Sequence, residues 1–329
     1  MIADIVIELA TEANFDEDRY LAENPDVRKA GVNARYHFIK AGKFERRMQF
    51  KEVSDIINGL NQNPTLRNWA AGSSNGLPNE TPSHQVALDL WKDDWWTAMP
   101  AETGLLAGHA DHFNDGRVIW ADTALGGIKG KNIIELGPFE AYNSYQFDRM
   151  GASKVVSLEN SPRNFMKCLI VKNIFNLNTT FLLGDFNLYE PDRDTDWDIV
   201  WASGVLYHLT DPVGFLDRIS KWGKRIFLWT QYYDSNTLSE GHSEAGHFDL
   251  RKDTELYYKG RKIVLHHRDY PDPSSNSKYA GGSSEYSYWM ELEDIFYVLQ
   301  MNGFSSIQMG INNPEHSHGP ACFFIATRD

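Results

Sequence analysis

Two rhythms of apolar and polar positions recur along the last two thirds of the chain. Short apolar runs end in glycine or an acidic residue, and between them apolar residues fall at helical spacing. NIIEL (132–136), KVVSLE (154–159), TTFLLGD (179–185), WDIVWASG (197–204) and RIFLWTQYY (225–233) read as strands. YNSYQFDRMG (142–151) reads as a short helix ending at Gly151. In NSPRNFMKCLIVKNIFNL, Ser161 suits a helix N-cap and Pro162 the first turn. DPVGFLDRISKW has Asp211 to cap and Pro212 at the first position, with Val213, Leu216, Ile219 and Trp222 at helical spacing. Strand and helix in alternation predict an α/β domain with a parallel sheet. From about 235 to 285 the rhythm breaks into a polar, aromatic, loop-rich stretch. It resumes with a helix in WMELEDIFYVLQMNG and strands in SSIQMGI and ACFFIATR.

Upstream, residues 1–50 are helical in pattern and form a small N-terminal module. Residues 51–100 mix a helix over Val53–Leu60 with a stretch rich in Asn, Gly, Pro and Ser, which reads as linker and lid. Residues 101–329 form the main domain, with an insertion at about 235–285.

Composition narrows the class. The 329 residues carry 45 acidic against 32 basic side chains, a net charge of −13, and that surface argues against nucleic acid and anionic membranes as partners. Cys168 and Cys322 both lie in apolar runs and read as small core residues, so neither a disulfide framework nor a cysteine-based zinc site is expected. The start of the chain lacks the basic region of a signal peptide, and no run is apolar enough to span a membrane. The cytoplasm is the expected compartment.

Ligands of doubly wound sheets bind at the carboxyl ends of the strands, where strand order reverses. The first strand ends at Gly137. The second ends at Glu159, an acidic residue able to accept both hydroxyls of a ribose. The third ends at Asp185-Phe186, a carboxylate beside a ring, suited to an exocyclic amine and a purine face. The fourth ends at Ser203-Gly204, followed by VLYHL.

This series resembles the class I S-adenosylmethionine (SAM)-dependent methyltransferases, whose first-strand motif is acidic-x-Gly-x-Gly-x-Gly. Glu135 and Gly137 match its first two fixed places, whereas Phe139 and Ala141 stand where the other glycines belong. A dinucleotide pyrophosphate needs close backbone approach and hence glycines. SAM carries no phosphate, so the departure weakens a dinucleotide reading more than a SAM reading. WKDDWW, GGIKGKNIIELGPFEAYNSY, NFMKCLIVK, FLLGDFNLYE, ASGVLYHLTDP and FLWTQYYD, in that order, are similar to a bacterial branch of this family that carries LELGPxEG. The resemblance implies a Rossmann-like fold with an antiparallel C-terminal strand and SAM as cofactor. It places Glu135, Gly137, Pro138 and Phe139 at the methionine end and Glu159 with Asn160 at the ribose. Asp185 and Phe186 fall at the adenine, with Ser203 and Gly204 beneath the cofactor.

Methyl transfer to a hydroxyl requires in-line alignment and removal of a proton. His208, four residues past Gly204, is the candidate base, with an ordinary pKa near 6.5. Tyr207, Tyr232 and Tyr233 are candidates to line the acceptor site, and Trp95 and Trp96 to cover the cofactor. The histidine pairs 242/247, 266/267 and 316/318 lack the compact spacing of a zinc site, so no metal is expected.

Phe15, Asp16, Tyr20, Leu21, Asn24 to Val27, Ala30, Gly31, His37, Gly42, Glu45 and Arg46 resemble a helical module attached to bacterial glycosyltransferases. That likeness implies docking or self-association and directs the acceptor toward glycans, with His37 a structural residue. The expected function is methyl transfer to a hydroxyl of a small molecule or glycan. Two alternatives stand beside it. GVLYH also resembles tRNA wobble-uridine carboxymethyl-transferring enzymes, although Leu209 replaces a basic residue. A non-catalytic SAM-binding scaffold for polysaccharide synthesis is the other.

Overall fold

The structure is a computed structural model that describes residues 8–9, 15–42, 48–49, 80–192, 195–239, 242–270 and 284–328. The helix expected over Val53–Leu60 lies outside them, as do Glu45 and Arg46. The chain divides into two compact units, Met1–Thr81 and Pro82–Asp329.

In the smaller unit the two-residue strands β1 (Glu8–Leu9) and β2 (Met48–Gln49) pair antiparallel. Between them the described residues include the short helices α1 (Glu17–Glu23), α2 (Pro25–Ala30) and α3 (Ala34–His37), the last followed by a π-helical turn at Phe38–Gly42. Pro25 opens α2, and Gly31 ends it in the left-handed region at φ 62°. Tyr20, Val27, Ala34 and Phe38 form a small core with Phe15 and Leu21. His37 Nδ1 lies 3.0 Å from the Tyr20 hydroxyl, so its imidazole is tied into that core.

The larger unit opens with α4 (His84–Asp89) and α5 (Gly116–Ala124) and then alternates strand and helix. In chain order these are β3 (Asn132–Leu136), α6 (Tyr142–Arg149), β4 (Lys154–Glu159), α7 (Pro162–Phe175) and β5 (Thr180–Leu183). They continue with β6 (Ile199–Ser203), α8 (Pro212–Ile219) and β7 (Arg225–Gln231). Ser161 and Asp211 cap α7 and α8 as expected, accepting the N–H groups of Asn164 and Gly214. The chain then makes a cap of three strands, β8 (Thr254–Tyr258), β9 (Arg261–Asp269) and β10 (Tyr286–Trp289). It returns through α9 (Leu292–Met301) to β11 (Ser306–Asn313) and β12 (Ala321–Thr327).

The seven strands lie in the order β11-β12-β7-β6-β3-β4-β5. The four central pairings among β3 to β7 are parallel, and β12 runs antiparallel to both β7 and β11. Successive strand residues face opposite sides. Ile134, Leu136, Val200, Ala202 and Leu228 therefore pack toward α8 and α9, while Ile133, Ile199, Trp201 and Phe227 pack toward α5 and α6. Trp201 and Phe227, opposite each other in the register, stack at 3.6 Å. Strand order reverses between β3 and β6, and there the carboxyl ends diverge.

Within the stretch expected to be loop-rich, about 235–285, residues 254–269 instead form β8, its turn and β9. Lys259 and Gly260, at φ 45° and 96°, supply the two left-handed residues of a tight hairpin turn joining β8 to β9. The cap is stapled where it leaves and rejoins the frame, with Tyr233 N–H donating to Met290 O at 2.8 Å. No helix among the described residues is long and apolar enough to cross a membrane.

Candidate functional site

The loop after β3 has a backbone that its side chains do not advertise. Gly137 sits at φ 64°, and Phe139 and Ala141 sit at 56° and 62°. Left-handed backbone costs a residue with a Cβ about 1–2 kcal/mol. The loop thus takes the conformation that glycine would favour at every second position, although glycine fills one of the three. Its surroundings hold it there. Phe139 N–H donates to Glu159 Oε2 at 3.1 Å, and its carbonyl accepts the Cys168 thiol at 3.3 Å. Ala141 N–H donates to Pro138 O, and Ala141 O accepts from Tyr145 N–H in the first turn of α6. Pro138 and Ala141 are buried.

Two carboxyls lie behind and beside this loop. Glu159 ends β4 and also accepts Ser161 N–H at 2.8 Å. Its burial raises its pKa to about 7, against the lowering effect of the backbone donors. A carboxylate has about four acceptor positions, so two bonds leave capacity for a ligand's hydroxyls. Glu135 is fully enclosed and accepts the Ser144 and Ser157 hydroxyls. Burial raises its pKa to about 7 as well. It braces the loop from behind, tying β3 to α6 and β4.

The remaining expected cofactor residues occupy the neighbouring strand ends. Asn160 is exposed beside Glu159. Asp185 is exposed and caps a short turn by accepting Asn187 N–H at 2.8 Å. Phe186 turns its ring into the core against Phe215, 5.7 Å away. Ser203 ends β6, and a Cβ on Gly204 would stand 3.1 Å from the Trp229 ring.

His208 closes the turn that follows. Its Nδ1 lies 2.5 Å from the Tyr270 hydroxyl, and its Nε2 is buried with no hydrogen-bond partner among the described residues. Burial, and then the charge of Arg268, push its pKa down to about 3. The imidazole is therefore neutral throughout the physiological range, a correction to the ordinary value near 6.5. Tyr207 packs edge-on to Trp229 and Trp289. Tyr232 is buried in the α8–α9 core and donates its hydroxyl to Asn312 Oδ1 at 2.7 Å. Its neighbour Tyr233 stacks on His266 at 3.6 Å.

The segment before the sheet is anchored through residues that sequence reading left aside. Glu140, fully buried, accepts Trp96 N–H at 3.1 Å, Thr97 N–H at 2.7 Å and the Lys167 ammonium at 2.7 Å. Lys167 also reaches Asp94, which Arg163 pairs as well. Burial lowers the Lys167 pKa, opposed by Glu140. Trp95 is buried, with its indole N–H on Leu88 O, while Trp96 is partly exposed against His109. The signal for Glu140 was available: it is the second acidic residue of the LELGPxEG pattern.

No group of three His, Cys, Asp or Glu side chains is placed to hold a metal among the described residues. A groove of about 670 Å³ lined by Glu190, Asp217, Trp222, Lys224 and Arg328 lies at the amino ends of β6 and β7, away from these strand ends.

No family model matches the chain. It is 27% identical over 113 residues to a tRNA U34 carboxymethyltransferase of Campylobacter hominis, covering 33% of this chain and 39% of that protein. It is 29% identical over 115 residues to the mitochondrial ubiquinone biosynthesis O-methyltransferase of Dictyostelium discoideum, covering 31% and 36%. The chain thus spans under two fifths of the length of these curated relatives. Among solved structures it resembles the N-terminal domain of EvdMO1 with SAH bound, at TM-score 0.58 and 19% identity over 75% of this chain and 95% of that one. The same domain in the presence of SAH and D-fucose gives TM-score 0.57 at 20% identity, covering 74% and 94%. The chain has the Rossmann-like fold of SAM-dependent methyltransferases.

Proposed function

We propose that the chain is a SAM-dependent methyltransferase that acts on a hydroxyl of a small-molecule or glycan acceptor. The observation that carries this reading is the union of the left-handed loop 137–141 with the Glu159 carboxylate through Phe139 N–H. A loop turned back on itself beside a carboxylate at the next strand end suits a nucleoside with a short polar tail. Glu159 takes the ribose hydroxyls, with Asn160 beside it. Gly137, Pro138 and Phe139 flank the methionine end, and Glu135 braces them. Asp185 and the margin of Phe186 take the adenine, and Ser203 and Gly204 run beneath.

SAM supplies a methyl group already activated on a sulfonium. The chain's residues must bring a hydroxyl oxygen in line with it and accept the proton. With Nδ1–H donated to Tyr270, the His208 Nε2 lone pair is the acceptor. The hydroxyl proton becomes strongly acidic as the oxygen bonds to carbon, so a weakly basic imidazole suffices. Tyr207 borders the same space. The N-terminal unit serves docking or self-association in this reading.

Calorimetry with SAH tests it. Wild type binds, and Glu159→Ala loses an order of magnitude or more, because hydrogen bonds to a charged group are worth roughly 1.5–3 kcal/mol each. Unchanged affinity in that variant overturns the assignment. The likeness to a tRNA U34 carboxymethyltransferase favours a second reading, in which the acceptor is a wobble uridine. Transfer of label from SAM or carboxy-SAM to total tRNA, absent with other acceptors, would decide for it.

A further inference from the structure

Four side chains on one face of the cap carry polar atoms that are shielded from solvent and have no hydrogen-bond partner among the described residues. They are His266 Nε2, Arg268 Nε, Ser287 Oγ and Trp289 Nε1. The register sets Arg268 opposite Ser287 and His266 opposite Trp289, so all four share one side of the β9–β10 pleat. Folded proteins leave few such atoms, because each loses its bonds to water without gaining a partner. Two of the side chains are already fixed at their other ends. Arg268 Nη2 donates to Glu244 Oε2 at 2.7 Å, and His266 Nδ1 lies 2.8 Å from Asp253 Oδ2. They are held in place with a hydrogen-bonding atom left over.

The face borders the His208 turn. The Arg268 guanidinium lies over the Tyr270 ring at 5.0 Å and the Trp289 ring at 5.4 Å, and Tyr270 is the partner of His208. His208 Nε2 is a fifth unpaired atom. Aromatic surface surrounds the set, with Phe248 edge-on to Trp289 at 5.1 Å and Tyr233 stacked on His266. The local charge is not positive. Glu244 and Asp253 pair directly with the set, and Glu291 Oε1 lies 3.8 Å from His266 Nε2, against Arg268 as the cation of the set among the described residues. A phosphate or carboxylate brought here meets three carboxylates for one guanidinium.

Resting on the methyltransferase reading, we propose that this face binds the methyl acceptor and that the acceptor is an uncharged, hydroxyl-rich ring, a saccharide. Arg268 Nε–H and Trp289 Nε1–H donate to its oxygens, Ser287 donates or accepts, and His266 Nε2 accepts. The rings cover the apolar faces of the sugar. The hydroxyl set against His208 Nε2 is the one methylated: its oxygen bonds to the methyl carbon as the carbon–sulfur bond breaks, and its proton passes to Nε2. Because the four atoms are shielded, the cap must open to admit the ring.

The test uses the full chain with saturating SAH and saturation-transfer NMR. The probes are a panel of neutral methyl glycosides and D-fucose, with glucuronate and an anticodon stem-loop RNA as charged competitors. A neutral saccharide is expected to show saturation. Trp289→Phe and Arg268→Gln should each weaken it about tenfold while SAH affinity by calorimetry stays at the wild-type value. Ser287→Ala replaces either variant that fails to fold. Absence of saturation from every neutral saccharide in SAH-loaded protein overturns the proposal. So does wild-type saccharide binding by the variants, or preference for glucuronate or RNA. Failure of the wild type to bind SAH overturns the methyltransferase reading instead.

Discussion

The Lys167 ammonium lies 2.7 Å from the Glu140 carboxylate, and the two side chains are 2% and 0% exposed. This ion pair joins α7 to the loop after β3, and through Trp96 N–H and Thr97 N–H it holds the preceding segment on that loop. Removing one member of a buried pair costs about 3–5 kcal/mol. Asp94, 3.2 Å from the ammonium, retains part of the attraction. Glu140→Gln should therefore lose about 3 kcal/mol in urea denaturation. It should also loosen SAH binding, which calorimetry reads.

Ala141 tests the loop conformation. Replacement by Gly relieves about 1–2 kcal/mol of left-handed strain. It gives up about 0.8 kcal/mol of methyl burial and about 0.4–1 kcal/mol to the freer unfolded chain. The melting temperature should hardly move. Ala141→Val puts a β-branched side chain at φ 62° in a fully buried position, so it should destabilise clearly and weaken SAH binding. Equal melting temperatures for the two variants would contradict the left-handed assignment.

Glu135 sets a pH dependence. Its folded pKa, about 7, stands above the ordinary 4.5, so the folded state holds a proton that the unfolded chain releases. The stability it contributes is full below about pH 4.5 and is lost as pH rises through about 7. Glu135→Gln should gain on wild type between pH 5 and pH 8 in denaturant midpoints. A constant difference across that range would show an ordinary pKa.

For His208 the pH test runs the other way. With its pKa near 3, the imidazole is already neutral at every working pH. The transfer rate should show no histidine step between about pH 5 and 8. His208→Gln should lower turnover by roughly 10²-fold or more with SAH affinity within a few-fold. A rate rising through pH 6.5 in the wild type would mean that His208 is solvated when the acceptor is bound.

Asp185 is exposed, and its role is confined to a short cap. Asp185→Ala should change stability by about 1 kcal/mol or less. On the proposed adenine contact, it should weaken SAH binding about tenfold. Unaltered affinity would remove Asp185 from the cofactor site.

The frame was legible because each strand of the parallel sheet is a short apolar run with a distinct end. The stretches NIIEL and KVVSLE coincide with β3 and β4, and the caps Ser161 and Asp211 fall where expected. The backbone of Phe139 and Ala141 was hidden, because side-chain identity suggested a lost glycine loop while tertiary bonds impose its shape. The β8–β9 hairpin was hidden among aromatic and charged residues, although Lys259-Gly260 is a turn signal. The pKa of His208 depends on enclosure by residues 60 and more positions away, such as Tyr270 and Arg268, which no local pattern reports.

The staple between Tyr233 N–H and Met290 O has an engineering consequence. Residues 234–289 leave and rejoin the frame at one place, so their length can change with little effect on chain-closure entropy. Within it, Ile263 and Leu265 pack into the core of the frame, so those contacts must be kept when the segment is exchanged. Grafting the corresponding stretch from a relative onto this frame should carry over the choice of acceptor while the strand ends beneath, and the nucleoside they face, stay as they are.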